Sequence, residues 1–299
     1  MRKKMLLIYN PYAGTSRIKE WLSDIIESFT MAGYDITIRP TLPNKDTSLI
    51  VKEYLSKTDY DKIVCSGGDG TLNSVLNGIM ISGKDVELGY IPAGTTNDFA
   101  YNLGVSKNYK QAVKVVLKGE PFSCDIGSLN GKYFTYVSAF GIFTDASYET
   151  MQSTKNMLGR MAYILEGIKR IPNSLKPYTI DLIYHDKVIS GDFLLGMITN
   201  SESVGGFKGI TGNDVKLDDG YFEGIFIRKP KSLIELQELI NCLLAGNLDS
   251  DLIVSLPIDN LLVRSEESVP WTIDGEFGGE FQEVKIEVKH HAFKIMRKI

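Results

Sequence analysis

At 299 residues, 43% hydrophobic and 23% charged, the chain is long enough for two ordinary domains with proper cores and is too apolar for a disordered tract. A net charge of −4, with no basic run interleaved with aromatics, argues against nucleic acid as a partner. Cys65, Cys124 and Cys242 are scattered without CxxC spacing, which fits a reducing cytosol and argues against structural zinc.

Arg2-Lys3-Lys4 before Met5–Tyr9 imitates the start of a signal peptide. The apolar run stops at Asn10-Pro11, however, and reads as a first strand. No stretch approaches the length of a membrane-spanning helix, so any meeting with a membrane is expected at its surface. From residue 5 to about 120, strand and helix signals alternate, as in a parallel sheet covered on its faces. Strands are expected at Met5–Tyr9, Tyr34–Arg39, Lys62–Ser66 and Leu88–Ile91. Helices are expected through Trp21–Phe29, Leu49–Leu55 and Leu72–Met80.

Three glycine-bearing loops follow three of these strands: Asn10-Pro11-Tyr12-Ala13-Gly14, Ser66-Gly67-Gly68-Asp69-Gly70-Thr71-Leu72-Asn73, and Pro92-Ala93-Gly94-Thr95-Thr96-Asn97-Asp98. In a parallel sheet all three lie at the carboxyl edge, where such folds bind ligands. The Ser66–Asn73 loop joins a strand to a helix start, so free N–H groups and the positive end of the helix dipole face one point. Asp69 within it would repel phosphate oxygens unless a cation sits between them, which points to a magnesium–nucleotide complex. The plainer reading is a tight turn with Thr71 as N-cap.

After Gly119-Glu120-Pro121 the texture changes to alternating apolar and polar residues, as in half-buried antiparallel strands. Phe122–Leu129 and Lys132–Phe140 flank Asn130-Gly131, a hairpin signal. Further strands are expected at Tyr178–Tyr184, Lys187–Phe193, Leu194–Asn200, Tyr221–Arg228, Asp251–Leu256, Leu261–Arg264 and Glu283–Val288, with a helix over Ser232–Ala245. Between Thr150 and Arg170, Met157, Met161, Ile164, Leu165 and Ile168 share one helical face, suited to burial or to a lipid-facing lip. The domains are therefore set at 1–121, with the tail 292–299 a candidate to pack back onto it, and 122–291.

The sequence has no GxxxxGK[ST], no GxGxxG in a dinucleotide context, no GxSxG and no protein-kinase set. His290 and His291 are adjacent and are expected on opposite faces of a strand, against a metal site or a triad there. His185 is expected at the surface. Two acidic turns remain. Trp271-Thr272-Ile273-Asp274-Gly275-Glu276 is either a hairpin turn or the seat of a general base, and Lys216-Leu217-Asp218-Asp219-Gly220-Tyr221 offers oxygens suited to a hard cation.

With these residues placed, the chain resembles the bacterial soluble diacylglycerol kinases of the lipid-kinase, sphingosine-kinase and NAD-kinase superfamily. Asn10-Pro11 with Gly14, Gly67–Thr71, Gly94–Phe99, Asp125-Ile126-Gly127, Leu217–Gly220 and Asp274–Glu276 occur in that family's order. The resemblance implies an α/β nucleotide-binding domain followed by an antiparallel β-sandwich, with the active site in the cleft between them and hinge closure during the reaction. It implies transfer of the γ-phosphate of ATP to the hydroxyl of diacylglycerol or a related lipid, giving phosphatidic acid. Other acceptors, phosphatidylglycerol, a sphingoid base or NAD, and a non-catalytic nucleotide- or lipid-binding role are the alternatives.

By position, the resemblance puts ATP on Asn10, Pro11, Tyr12, Ala13, Gly14, Thr41, Gly67, Gly68, Asp69, Gly70, Thr71, Leu72, Asn73 and Thr95. Asp69, Asp98 and Asp125 would belong to the acidic network around catalytic Mg2+ and the acceptor. Asp274 or Glu276 would take the hydroxyl proton. Lys216 and Tyr221 through their carbonyls, with the Asp219 carboxylate, would hold a structural Mg2+. The implied setting is cytoplasmic, peripheral to the inner face of the membrane, with homodimerisation left open. Ser203–Lys208 is suggested for the acceptor site on glycine content alone.

Overall fold

The computed structural model describes residues 2–14, 18–95, 97, 99–100, 103–141, 176–200, 203–204, 207–208, 216–245 and 247–299. They form two compact units, Met1–Ile126 with His290–Ile299, and Gly127–Lys289.

In the first unit, strands β1 (Lys3–Tyr9), β2 (Tyr34–Pro40), β3 (Lys62–Gly67) and β4 (Glu87–Pro92) pair in parallel in the order β4-β3-β1-β2. The interior of β1 and all of β3 are buried, as expected of parallel strands written as unbroken apolar runs. Helix α1 (Ile18–Met31) buries Ile18, Ile25 and Phe29. Helix α2 (Thr47–Lys57) starts where the Asp46 side chain accepts the Ser48 N–H at 2.8 Å. Helix α4 (Tyr109–Lys118) is capped in the same way by Asn108. Helix α3 (Asp69–Ser82) is different, because Gly68 at its N-cap offers no side chain to its first N–H groups. The last strand of the chain returns to this unit and pairs in parallel with β4, Lys294 opposite Glu87 and Ile295 opposite Leu88.

The second unit is antiparallel and rich in strands. Its order is β13 (Ile253–Ile258), β12 (Phe222–Arg228), β9 (Lys187–Thr199), β7 (Val137–Gly141), β14 (Asn260–Ile273) and β15 (Glu276–Arg297). Strand β8 (Tyr178–Tyr184) pairs with both β9 and β14, and the short strands β10 (Ser203–Val204) and β11 (Phe207–Lys208) pair with each other. The end of β5 (Glu120–Leu129) and β6 (Lys132–Phe134) form the hairpin signalled by Asn130-Gly131. One core is aromatic, with Phe134, Phe140, Phe193, Phe222, Phe226 and Trp271 fully buried together. In a second core, helix α5 (Leu233–Ala245) covers Val137, Leu195, Met197, Ile225 and Ile227 with Leu236, Leu239, Ile240 and Leu243.

Two strand expectations change. The expected strands Lys187–Phe193 and Leu194–Asn200 are one, β9 (Lys187–Thr199), which pairs with β8 up to Phe193 and with β7 from Leu195. Lys132–Phe140 is broken between Phe134 and Val137, where the backbone turns its N–H groups to a carboxylate distant in sequence. The helical face of Met157–Ile168 lies outside the described residues.

Candidate active site

The three glycine loops of the first unit meet backbone to backbone. A Cβ on Gly94 would lie 2.5 Å from the Gly68 Cα, and one on Gly14 (φ +53°) would lie 2.5 Å from the Ala93 carbonyl oxygen. Side chains at these points would fill the space the loops leave. Main-chain bonds fix the arrangement: Asn10 N–H to Ser66 O at 2.8 Å, Ala93 N–H to Gly67 O at 2.8 Å, and Thr41 N–H to Tyr9 O at 2.8 Å. The Asn10 amide donates to the Thr71 hydroxyl at 3.2 Å while its oxygen accepts the Tyr12 N–H at 2.9 Å. Tyr12 and Thr95 are exposed, Ala13 is buried, and Gly67, Leu72 and Asn73 sit at the strand end and in the first helical turn.

Asn97 holds the third loop. It is buried at φ +54°, accepts the Gly94 N–H at 2.9 Å and donates to the Gly94 carbonyl at 2.7 Å. The Gly94–Phe99 motif contains this residue but does not by itself give it a role. Asn's tolerance of the left-handed region was the available signal.

Asp69 is the first residue of α3, where the helix dipole favours a carboxylate, and its Oδ1 accepts the Phe99 N–H at 3.4 Å. The Ser66 hydroxyl, at the end of β3, is buried without a hydrogen-bond partner. An uncapped helix start, a backbone cradle and an orphaned buried hydroxyl fit a phosphate group. Asp98 lies outside the described residues. Asp125 is buried, and its Oδ1 accepts the His291 N–H at 2.7 Å and lies 3.0 Å from His290 Nδ1. The two histidines therefore do not take opposite faces. His291 has φ +49°, which breaks strand alternation, and the rings stack with centroids 3.7 Å apart.

In the second unit, Asp274 (φ +47°) and Gly275 turn the chain between β14 and β15. Asp274 is buried, and both of its oxygens are occupied. Oδ2 accepts the Thr135 N–H and hydroxyl, each at 2.8 Å, and Oδ1 accepts the Tyr136 and Val137 N–H groups, each at 3.0 Å. Burial pushes its carboxyl up, and these four bonds oppose the shift. Glu276 is exposed on the same turn, opposite Ile273.

In the turn before β12, Asp219 Oδ1 accepts the Tyr221 N–H at 3.1 Å, and Lys216 is the first described residue ahead of it. Glu223, on β12, has a buried Oε2 with no hydrogen-bond partner, and burial with the nearby Asp219 charge pushes its carboxyl up to about 7. Such an acidic pair suits a hard cation held partly by main-chain oxygens. Among the described residues no cluster of three or more His, Cys, Asp or Glu side chains is placed to hold a metal.

Residues 4–129 match the diacylglycerol kinase catalytic domain. The chain is 33% identical over 298 residues to a diacylglycerol kinase of Bacillus subtilis, covering 99% of this chain and 97% of that one. It is 32% identical to a diacylglycerol kinase of Staphylococcus carnosus, over 97% and 94% of the two chains. A crystal structure of a proposed diacylglycerol kinase from Bacillus anthracis superposes with a TM-score of 0.81 at 26% identity, covering 99% of this chain and 98% of that chain. Likeness over nearly the full length, with a catalytic-domain match at the glycine loops, shows that the chain belongs to the diacylglycerol kinase family.

Proposed function

We propose that this enzyme transfers the γ-phosphate of ATP to the hydroxyl of diacylglycerol or a related lipid, giving phosphatidic acid. The observation that carries the reading is the α3 start: three loops crowded onto one backbone cradle, no N-cap side chain, and a carboxylate as the first helical residue. Asn10–Gly14, Thr41, Gly67–Asn73 and Thr95 bind the nucleotide. Its phosphates face the first turn of α3, at the positive end of the helix dipole.

Asp69, Asp98 and Asp125 would hold catalytic Mg2+, which when bound neutralises phosphate charge. Asp219, with the Lys216 and Tyr221 carbonyls, would hold a structural Mg2+; the unpartnered Glu223 oxygen beside Asp219 supports a cation there. Glu276 accepts the proton as the lipid oxygen bonds to the γ-phosphorus and the bond to ADP breaks. Asp274 is the poorer base, because both of its oxygens already accept hydrogen bonds. The protein works in the cytoplasm at the inner face of the membrane. No helix among the described residues is long and apolar enough to cross one.

Labelled ATP, Mg2+ and mixed micelles of diacylglycerol, phosphatidylglycerol or sphingosine, with NAD in parallel, test this reading. Label in phosphatidic acid is expected. Label only in NAD would reject the lipid acceptor, and label nowhere would favour a binding protein.

A further inference from the structure

We infer that His290 is a positioning residue that orients the Asp125 carboxylate for its part in the acidic network. The inference rests on the reading of Asp125 given above. A carboxylate only accepts hydrogen bonds, so the His290 Nδ1 facing Asp125 Oδ1 at 3.0 Å carries a hydrogen, and Nε2 is turned away.

Two further contacts hold the pair, one on the carboxylate and one on the ring. The His291 N–H reaches the same oxygen at 2.7 Å because His291 adopts φ +49°, and its imidazole stacks on that of His290 at 25° between planes. The Asp125 side chain has no exposure, whereas that of His290 is 51% exposed, so a surface ring serves a buried acid. The residue type suits this task. A lysine or arginine would bring a full positive charge that competes with a divalent cation. An imidazole N–H donates one directed hydrogen bond from a short, planar side chain. Groups that hydrogen-bond a metal's carboxylates set their orientation in the same way.

Three substitutions separate orientation from mere support. In His290→Asn the amide nitrogen sits as many bonds from Cα as Nδ1 does. In His290→Gln it sits one bond farther, and His290→Ala removes the donor. The readouts are kcat and KM for ATP on diacylglycerol micelles, Mn2+ affinity by electron paramagnetic resonance with a non-hydrolysable ATP analogue, and melting temperature.

His290→Ala and His290→Gln are expected to lower kcat and Mn2+ affinity by about 10- to 100-fold, with KM for ATP and melting temperature unchanged and His290→Asn restoring both. His290→Ala within about twofold of the parent on both readouts, or His290→Asn as impaired as His290→Ala, would overturn the inference. If the parent protein phosphorylates no lipid, the functional reading fails instead, and the Mn2+ titration alone decides the role of His290.

Discussion

The carboxylate of Asp274 is bound to Thr135 twice, Oδ2 accepting the Thr135 main-chain N–H and its hydroxyl at 2.8 Å each. With Tyr136 and Val137 on the other oxygen, one buried side chain satisfies three successive N–H groups that leave the β-ladder. Asp274→Ala strands these donors and is expected to destabilise the protein by roughly 2–4 kcal/mol, read from urea midpoints. A midpoint within experimental error of the parent would contradict this.

Glu276 is exposed on the same turn, so Glu276→Gln should leave the unfolding midpoint in place. As the proposed base, its loss should lower kcat by about 10²- to 10⁴-fold with little change in KM for ATP. The two substitutions on one turn thus separate stability from catalysis. Loss of stability without loss of kcat in Glu276→Gln would remove it from the mechanism.

Gly94→Ala would bring a Cβ to 2.5 Å from the Gly68 Cα, where only backbone movement can make room. The expected cost is roughly 1–3 kcal/mol, together with a loss of ATP affinity by calorimetry. Gly83→Ala is the control, at φ +66° with nothing within 4 Å of the new atom. It should cost about 1 kcal/mol of backbone strain and leave ATP affinity unchanged.

Glu223 binds its proton more tightly in the folded protein, at about 7, than its ordinary value of 4.5. The unfolded chain therefore releases that proton first as pH rises. The metal-free protein should lose on the order of 2 kcal/mol between pH 4.5 and about 7, after discount for partial exposure. Urea midpoints in chelator at pH 5 and pH 8, for the parent and Glu223→Gln, check this. A pH slope unchanged by the substitution would contradict it.

Strands β1, β3 and β4 were legible because each is a continuous apolar run, and the glycine loops after them could be placed from those strand ends. The break between β6 and β7 was not legible. Its cause is Asp274, 139 residues further along the chain from Thr135. Strand alternation puts His290 and His291 on opposite faces, and a single left-handed φ at His291 brings their rings together instead. Each departure sits beside a carboxylate far away in sequence, Asp274 for the break and Asp125 for His291. Asn97 and Asp274 share the left-handed geometry, and each stands at a glycine-bearing turn whose motif drew attention to it.

The account depends on a carboxylate sharing the start of α3 with a triphosphate through a divalent ion. The direct test is turnover of Asp69→Ala beside the parent, on labelled ATP, Mg2+ and diacylglycerol micelles, with melting temperature recorded for both. The parent is expected to make phosphatidic acid, and Asp69→Ala to stay folded and make none. Normal turnover in the variant would contradict it.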